Sequence, residues 1–127
     1  MTDQPPAPSN GGRPPLLTVQ STEQDGVVVV GLAGELDMST ADQALTTLRD
    51  ATVGAASVVV DMTGLRFFAS AGLNVLLYLR RDLSDRDVVV RLVADQRAVL
   101  RPLELMGVVD QFPIHASLAD ALVSARP

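Results

Sequence analysis

The stretch Val58–Arg81, VVVDMTGLRFFASAGLNVLLYLRR, constrains the fold of this chain more than any other. Its β-branched start and leucine-rich second half predict a buried strand, a turn and an apolar helix. Ser70 stands in the turn, directly before the helical pattern. Its side-chain oxygen is suited to cap the helix by accepting a free backbone N–H. The same position also tolerates a phosphate, because free N–H groups and the helix dipole favour an anion. Both roles, cap and switch, are open at this point.

The size and composition predict one soluble domain. A chain of 127 residues with 47% hydrophobic residues has enough apolar surface for a single core. The formal net charge of −5 argues against general affinity for nucleic acid or anionic membranes. With no cysteine and one histidine, we expect neither a metal site nor another cofactor. No apolar run approaches the ~18 residues of a membrane span, and the N-terminus lacks the apolar core of a signal peptide. We therefore expect a cytoplasmic protein.

The first residues differ in composition from the rest of the chain. Residues 1–15, MTDQPPAPSNGGRPP, contain five prolines and a Gly-Gly pair. Such a segment has little to bury, so it predicts a disordered tail that is either an inert leader or a docking peptide. The folded domain is expected to occupy residues 16–127.

Four apolar segments predict most of the sheet. Leu16–Gln20 alternates weakly and suggests an edge strand, and Val27–Ala33 is a continuous run typical of a central strand covered on both faces. The Asp25-Gly26 turn between them predicts an antiparallel hairpin. Ser57–Met62 and Val88–Ala94 are further runs of the buried type.

Three more helices are predicted from cap residues that precede apolar positions with helical spacing. The first follows Ser39 and Thr40, the next follows Asp95, and the last follows Ser117. Pro102 lies inside the middle one of these three and is expected to kink or split it.

The elements alternate along the chain in the order β-β-α-β-α-β-α-β-α. A short final strand near Gln111–Ile114 is expected at an edge, because Pro113 cannot donate to a neighbour. A strand, a helix and a strand in succession form a right-handed crossover with parallel strands. The sequence therefore predicts an α/β domain with a mixed, mostly parallel sheet of four to five strands and about four helices.

Polar residues on the apolar helix form a pattern of their own. Asn74, Tyr78 and Arg81 follow Ser70 at steps of four, four and three residues. This spacing places all four side chains on one ridge of the helix. The ridge is either a solvated stripe or a recognition surface continuous with the serine.

Two aspartates lie near the carboxyl ends of predicted strands, Asp61 at the end of one and Asp37 in the segment that leads out of another, where α/β sheets place functional groups. Asp37 and Ser70 should be neighbours, because loops at the carboxyl ends of adjacent parallel strands meet. Asp37 either ties its own loop or lines the same surface as Ser70. Asp61 is expected to cap a turn at Thr63-Gly64. His115 is expected to be an ordinary surface or cap residue.

Motifs that would indicate an enzyme are missing from the sequence. It contains no phosphate-binding GKS or GKT loop and no GxSxG elbow. No spacing brings the single histidine to Ser70 as a base, and no pair of acids specifies hydrolysis. We therefore do not expect an enzyme.

Four short segments occur in a characteristic order. They are Gly34–Asp37 (GELD), Val60–Leu65 (VDMTGL), Phe67–Leu73 (FFASAGL) and Leu103–Gly107 (LELMG). Together they resemble the STAS domain of bacterial anti-sigma factor antagonists, and the resemblance covers about residues 16–125. The fold that it implies, a small mixed sheet with helices, agrees with the predicted order of elements.

The resemblance implies a partner switch. Proteins of this family bind an anti-sigma factor, itself a serine kinase of the histidine-kinase-like ATPase type, and so release a sigma factor for transcription. The kinase phosphorylates a serine at the start of the helix after the third strand, which falls on Ser70, and the phosphorylated form dissociates. A serine phosphatase resets the switch. The protein is expected to be a monomer or weak dimer that contacts neither nucleic acid nor membrane.

The expected partner surface joins the loop before the first helix, the serine turn and the ridge. Its members are Asp37, Ser39, Thr40, Ala69, Ser70, Ala71, Gly72, Asn74, Tyr78 and Arg81. The usual family sequence at the turn is similar to Asp-Ser-Ser-Gly-Leu. Here alanine replaces the acid before the serine and the hydroxyl after it, which affects kinase recognition more than binding.

Other functions are compatible with the same residues. A phosphorylation-independent interaction module would keep the surface without the switch, and a STAS subunit of a phospholipid-transport ABC complex would use a different ATPase as partner. A nucleotide-binding or hydrolytic domain is a third class, for which the sequence supplies no nucleophile and base.

Overall fold

The computed structural model describes residues 16–126, so the tail predicted for residues 1–15 lies outside the described residues. The predicted order of strands and helices is confirmed, with one added 3₁₀ helix. The elements are β1 (Leu17–Gln24), β2 (Val27–Leu36), α1 (Ala41–Ala51), β3 (Val58–Phe68), α2 (Ser70–Ser84), β4 (Val90–Val93), α3 (Arg97–Leu105), the 3₁₀ helix (Val109–Gln111), β5 (Ile114–His115) and α4 (Leu118–Ala125).

The five strands form one mixed sheet in the order β1-β2-β3-β4-β5. β1 pairs with β2 antiparallel, and the other three pairs are parallel, as predicted. Asp25 and Gly26 connect β1 to β2 and have φ values of 54° and 82°. Positive φ at both positions matches the twist of a two-residue hairpin. Because the turn needs only these two residues, β1 continues to Gln24 instead of ending near Gln20.

Helices cover the two faces of the sheet unequally. The larger core packs α1, α2 and α3 against one face, with fully buried leucines such as Leu48, Leu76 and Leu103. On the other face, α4 contributes Ala121 and Ala125 to a smaller cluster, whose strand residues are Val27, Val29, Val59 and Val93. The start of β2 is thus covered on both faces, as its continuous apolar run predicts.

β3 is longer than the sequence suggests. A turn was expected at Thr63 and Gly64, but β3 continues to Phe68, and its register against β2 shifts between the pairs Gly31–Asp61 and Ala33–Gly64. A Cβ at Gly64 would lie 2.9 Å from the Ala33 Cβ. The glycine therefore marks a close approach at a bulge, and continued pairing with β2 carries the chain through it.

α3 begins one residue later than predicted, and Pro102 does not split it. Its N-cap residue is Gln96 and not Asp95, and the helix runs through Pro102 without being split. Val99 and Leu103, on either side of the proline, are fully buried. Packing of these two side chains offsets the hydrogen bond that proline cannot donate.

The Gln96 side chain forms hydrogen bonds with β3 beyond the end of β4. Pairing of β3 with β4 ends at Asp61, which leaves later β3 carbonyls without a strand partner on that side. The Gln96 amide donates to the carbonyls of Met62 and Leu65, at 2.8 and 2.9 Å. This contact satisfies backbone groups that would otherwise be unpaired inside the protein.

The last two elements follow the prediction with a small shift. The final strand is Ile114–His115, at the sheet edge, and Gln111 belongs to the 3₁₀ helix instead. The predicted cap of α4 is confirmed, because the Ser117 hydroxyl accepts a hydrogen bond from the Asp120 N–H at 3.1 Å.

Candidate functional site

β2 and β3 end side by side, and this shared edge positions the candidate site. Leu36 pairs with Phe68 at the last step of the parallel ladder, and the Ala69 N–H donates to the Leu36 carbonyl at 3.1 Å. The loops that carry Asp37 and Ser70 therefore leave the sheet next to each other, as the sequence predicts.

Ser70 is the first residue of α2 and not its cap. Ala69 occupies the N-cap position with extended backbone angles, and no side chain caps this helix. The Ser70 side chain is exposed, and its hydroxyl has no hydrogen-bond partner among residues 16–126. The cap role allowed by the sequence is thus wrong, because the helix starts one residue earlier than a serine cap requires. The hydroxyl is left free to react or to bind.

Asp37 ties its own loop. Its Oδ1 accepts hydrogen bonds from the Ser39 hydroxyl at 2.7 Å and from the Ser39 N–H at 2.8 Å. The Ser39 hydroxyl and backbone, aided by Thr40, hold the pKa of the Asp37 carboxyl below its ordinary value. The loop beside Ser70 therefore carries a fixed negative charge at neutral pH.

The prediction that Thr40 and Gly72 belong to the partner surface is wrong, because both residues are buried. The Thr40 hydroxyl donates to the Glu35 carbonyl at 2.9 Å and accepts from the Asp37 N–H at 3.0 Å. Thr40 stands at the N-cap position of α1, but its side chain forms no cap hydrogen bond with the helix. A Cβ at Gly72 would lie 2.7 Å from the Leu36 Cγ. These two residues hold the loop and the helix start in place from below.

The ridge beyond Ser70 is exposed along its length. Asn74, Tyr78 and Arg81 all face solvent, with Tyr78 56% exposed. Buried leucines, including Leu76 and Leu79, fix the opposite side of α2 in the core. The polar spacing in the sequence therefore marks an outward face held on a rigid helix. Of the remaining predicted partner residues, Ser39 is exposed, and Asp37, Ala69 and Ala71 are partly exposed.

A groove between α1 and α2 adds residues that the sequence analysis missed. It has a volume of about 330 Å³ and is bounded on the α1 side by Met38, Ala41, Asp42 and Leu45. Met38 is 87% exposed, although it is a large apolar residue. The sequence gives only a weak signal there, a methionine between Asp37 and Ser39, because single exposed apolar residues are common on protein surfaces.

A second groove lies on the other side of α2, toward the 3₁₀ helix. It also measures about 330 Å³, and it is lined by Leu77, Arg80 and Arg81 of α2 and by Gln111, together with ridge residues Asn74 and Tyr78. The Arg80 guanidinium lies 5.9 Å from the centroid of the Phe112 ring, a cation–π distance that limits its movement.

The other candidate residues lie apart from this surface. Asp61 accepts hydrogen bonds from the Thr63 N–H and hydroxyl, at 3.0 and 2.7 Å, but it pairs with Gly31 inside the sheet and not at the end of a strand. His115 is half-buried in β5, and its Nε2 has no hydrogen-bond partner among the described residues.

Within residues 16–126, no three acidic or histidine side chains form a group suited to a metal ion. None of the helices in this part of the chain has the length and apolar character to cross a membrane.

Comparison with known families agrees with the geometry. The STAS domain family matches residues 18–121, so this chain belongs to the STAS domain family. The resemblance found in the four sequence segments is thereby confirmed.

Its relatives include named regulators. The chain is 28% identical over 114 residues to the anti-sigma-F factor antagonist RsfB of Mycobacterium tuberculosis, covering 89% of this chain and 93% of the relative. It is 32% identical over 101 residues to the anti-sigma-F factor antagonist RsfA of the same organism, covering 77% and 79%. The crystal structure of an anti-sigma factor antagonist from Mycobacterium paratuberculosis superposes with a TM-score of 0.81 at 30% identity, covering 87% of this chain and 95% of that one.

Proposed function

We propose that this protein is an anti-sigma factor antagonist, which binds an anti-sigma factor through the Ser70 surface and so releases a sigma factor. One observation carries the proposal: the Ser70 hydroxyl is exposed and unbonded at the start of a rigid helix, next to an exposed polar ridge. The names of RsfB and RsfA support the same function. The protein acts as a binding partner and not as an enzyme, and it works in the cytoplasm, where sigma factors meet RNA polymerase.

Phosphorylation of Ser70 is the proposed control. A phosphate adds about −1.5 to −2 charges and three acceptor oxygens. In the free protein it lies at the N-terminus of α2, where the helix dipole favours an anion. In a complex it must lose water against the partner surface, and an unpaired buried charge costs several kcal/mol. The modified protein therefore dissociates without a change of fold.

The proposed kinase is the anti-sigma factor itself, of the histidine-kinase-like ATPase type, and a serine phosphatase reverses the reaction. The residues that flank Ser70 are Ala69 and Ala71, both partly exposed. They leave the hydroxyl sterically open, but they offer no charge or hydroxyl for recognition. The kinase therefore identifies its substrate through the docked surface rather than through the residues next to the serine.

The test is affinity capture from the native cell with the tagged full chain. Wild type is expected to recover a histidine-kinase-like ATPase, and incubation with ATP is expected to raise the intact mass of the bait by one phosphate. Ser70→Ala should abolish the mass change. Ser124 is exposed on α4, on the other face of the sheet. Ser124→Glu is therefore the control for the charge that Ser70→Glu adds, and it should capture the same partner as wild type.

Two results would contradict the proposal. Recovery of an ABC ATPase in place of the kinase would favour a transporter subunit. Capture of the kinase with no phosphate on Ser70 would leave a binding module without the switch.

A further inference from the structure

Helix α2 separates two grooves of opposite charge. The α1–α2 groove contains Asp42, and the groove toward the 3₁₀ helix contains Arg80 and Arg81. Asn74 and Tyr78 line both grooves, so they form the crest between them. A partner that covers the Ser70 ridge must therefore meet an acidic side and a basic side at once.

None of the three charged side chains forms an ion pair within the described part of the chain, and the Arg80 guanidinium lies over the Phe112 ring. The ion pairs there join Arg49 to Asp82, Arg66 to Glu35 and Arg126 to Asp25. Asp110, in the 3₁₀ helix beside the basic groove, also forms no ion pair with either arginine. No oppositely charged side chain within residues 16–126 thus competes with an incoming surface for Asp42, Arg80 or Arg81.

An apolar residue lies beside the acidic groove. Met38 is 87% exposed at its entrance, and Tyr78 is 56% exposed on the crest. Methionine and tyrosine are enriched in protein interfaces, where burial of such side chains supplies much of the affinity. Charges at the rim then set orientation and association rate.

We propose that the anti-sigma factor contacts both sides of α2, with a basic side chain facing Asp42, an acidic side chain facing Arg80 and Arg81, and an apolar side chain against Met38. This inference rests on the proposed function and adds the chemistry of the partner surface. Because the charges change sign across the crest, a partner docked in the reverse direction would place like charges together. The opposite charges on the two sides of α2 therefore set the direction in which the partner lies along this helix.

Charge reversal tests the inference. The purified anti-sigma factor is titrated with wild type, Asp42→Arg and Arg81→Glu at low and high salt. Each reversal should weaken binding about tenfold at low salt, because it places like charges in contact. The loss should shrink at high salt, since exposed charges are screened. The matched controls are Asp50→Arg on α1 and Arg101→Glu on α3, both at exposed positions, and they should bind within about twofold of wild type.

The outcomes separate the two proposals. If wild type does not bind the anti-sigma factor, the proposed function and this inference both fail. A different outcome is that wild type binds, Ser70→Glu does not, and both charge reversals behave like their controls. The proposed contacts of Asp42, Arg80 and Arg81 are then overturned, and the proposed function stands. A loss of affinity is attributed to the interface only if all variants have the same melting temperature, which circular dichroism measures. A reversal that unfolds the protein is replaced by Asp42→Asn or Arg81→Gln, with a loss of about threefold expected.

Discussion

Two serines near helix starts, Ser70 and Ser117, have different roles in this protein. The Ser117 hydroxyl accepts the Asp120 N–H at 3.1 Å and caps α4. Ser70 lies one residue further into its helix, and its exposed hydroxyl caps nothing. Helix α2 begins without a side-chain cap, and its N-cap residue Ala69 is held to the sheet by the hydrogen bond from its N–H to the Leu36 carbonyl. The comparison shows that tertiary packing can free a hydroxyl that would otherwise serve as a cap.

The largest expected effect is on binding at the uncapped serine. Ser70→Glu should weaken binding of the anti-sigma factor by roughly a hundredfold, since a charge left unpaired in an interface costs several kcal/mol. Ser70→Ala should bind like wild type. Calorimetric titration measures both. Equal affinity for wild type and the two variants would place Ser70 outside the interface.

The next effect concerns how α2 is held without a cap. Gly72→Ala should lower the free energy of unfolding by about 1–3 kcal/mol, because the new Cβ would lie 2.7 Å from the Leu36 Cγ and 3.0 Å from the Phe68 Cε1. Glycine to alanine inside a helix normally stabilises by about 0.5–1 kcal/mol. Urea unfolding therefore decides the sign, and a gain in stability would show that Leu36 and Phe68 can move aside.

A smaller effect compares the two serines directly. Ser117→Ala should cost about 1 kcal/mol of stability through the loss of a cap. Ser70→Ala should change stability by less than about 0.5 kcal/mol, as for an ordinary surface position. Thermal or urea unfolding of the two variants is the measurement. Similar losses for both would mean that Ser70 caps α2 in solution.

The smallest effect is the pH dependence of the loop next to Ser70. The hydrogen bond from the Ser39 hydroxyl lowers the pKa of Asp37 below its ordinary value of 3.8. This hydrogen bond therefore stabilises the folded protein above that pH. The contribution is lost as the pH falls through the folded pKa. Ser39→Ala should therefore raise the pKa of Asp37 in an NMR titration, and its small stability loss near neutral pH should vanish in acid. An unchanged pKa would show that the Ser39 backbone N–H alone holds the carboxylate.

Much of the fold could be predicted because local patterns and packing agree. The continuous run of Val27–Ala33, the Asp25-Gly26 turn and the Ser117–Asp120 pair each describe a local preference that the tertiary structure also satisfies. The predicted turn at Thr63-Gly64 and the predicted split at Pro102 are both absent, for one physical reason. A breaker residue has a local cost, but pairing with β2 outweighs it at Gly64, and burial of Val99 and Leu103 outweighs it at Pro102.

The candidate site was predictable to a lesser degree. Helical spacing alone was enough to place Asn74, Tyr78 and Arg81 on one exposed ridge. Burial of Thr40 and Gly72 was not visible, because it depends on Glu35 and Leu36 of a neighbouring strand. Met38 and Asp42 were missed for a related reason: the α1–α2 groove exists only when two helices distant in sequence lie side by side.

The sequence by itself determined the class of fold, the order of its elements and the outward face of α2, since hydrophobic periodicity and turn residues are local properties of the chain. Only the tertiary structure decided that the Ser70 hydroxyl is free and that grooves of opposite charge flank it. The physical reason is that both features arise where the ends of β2 and β3 and the helices α1 and α2 meet. Contacts between segments far apart in the chain set the geometry there, and no short stretch of sequence contains them.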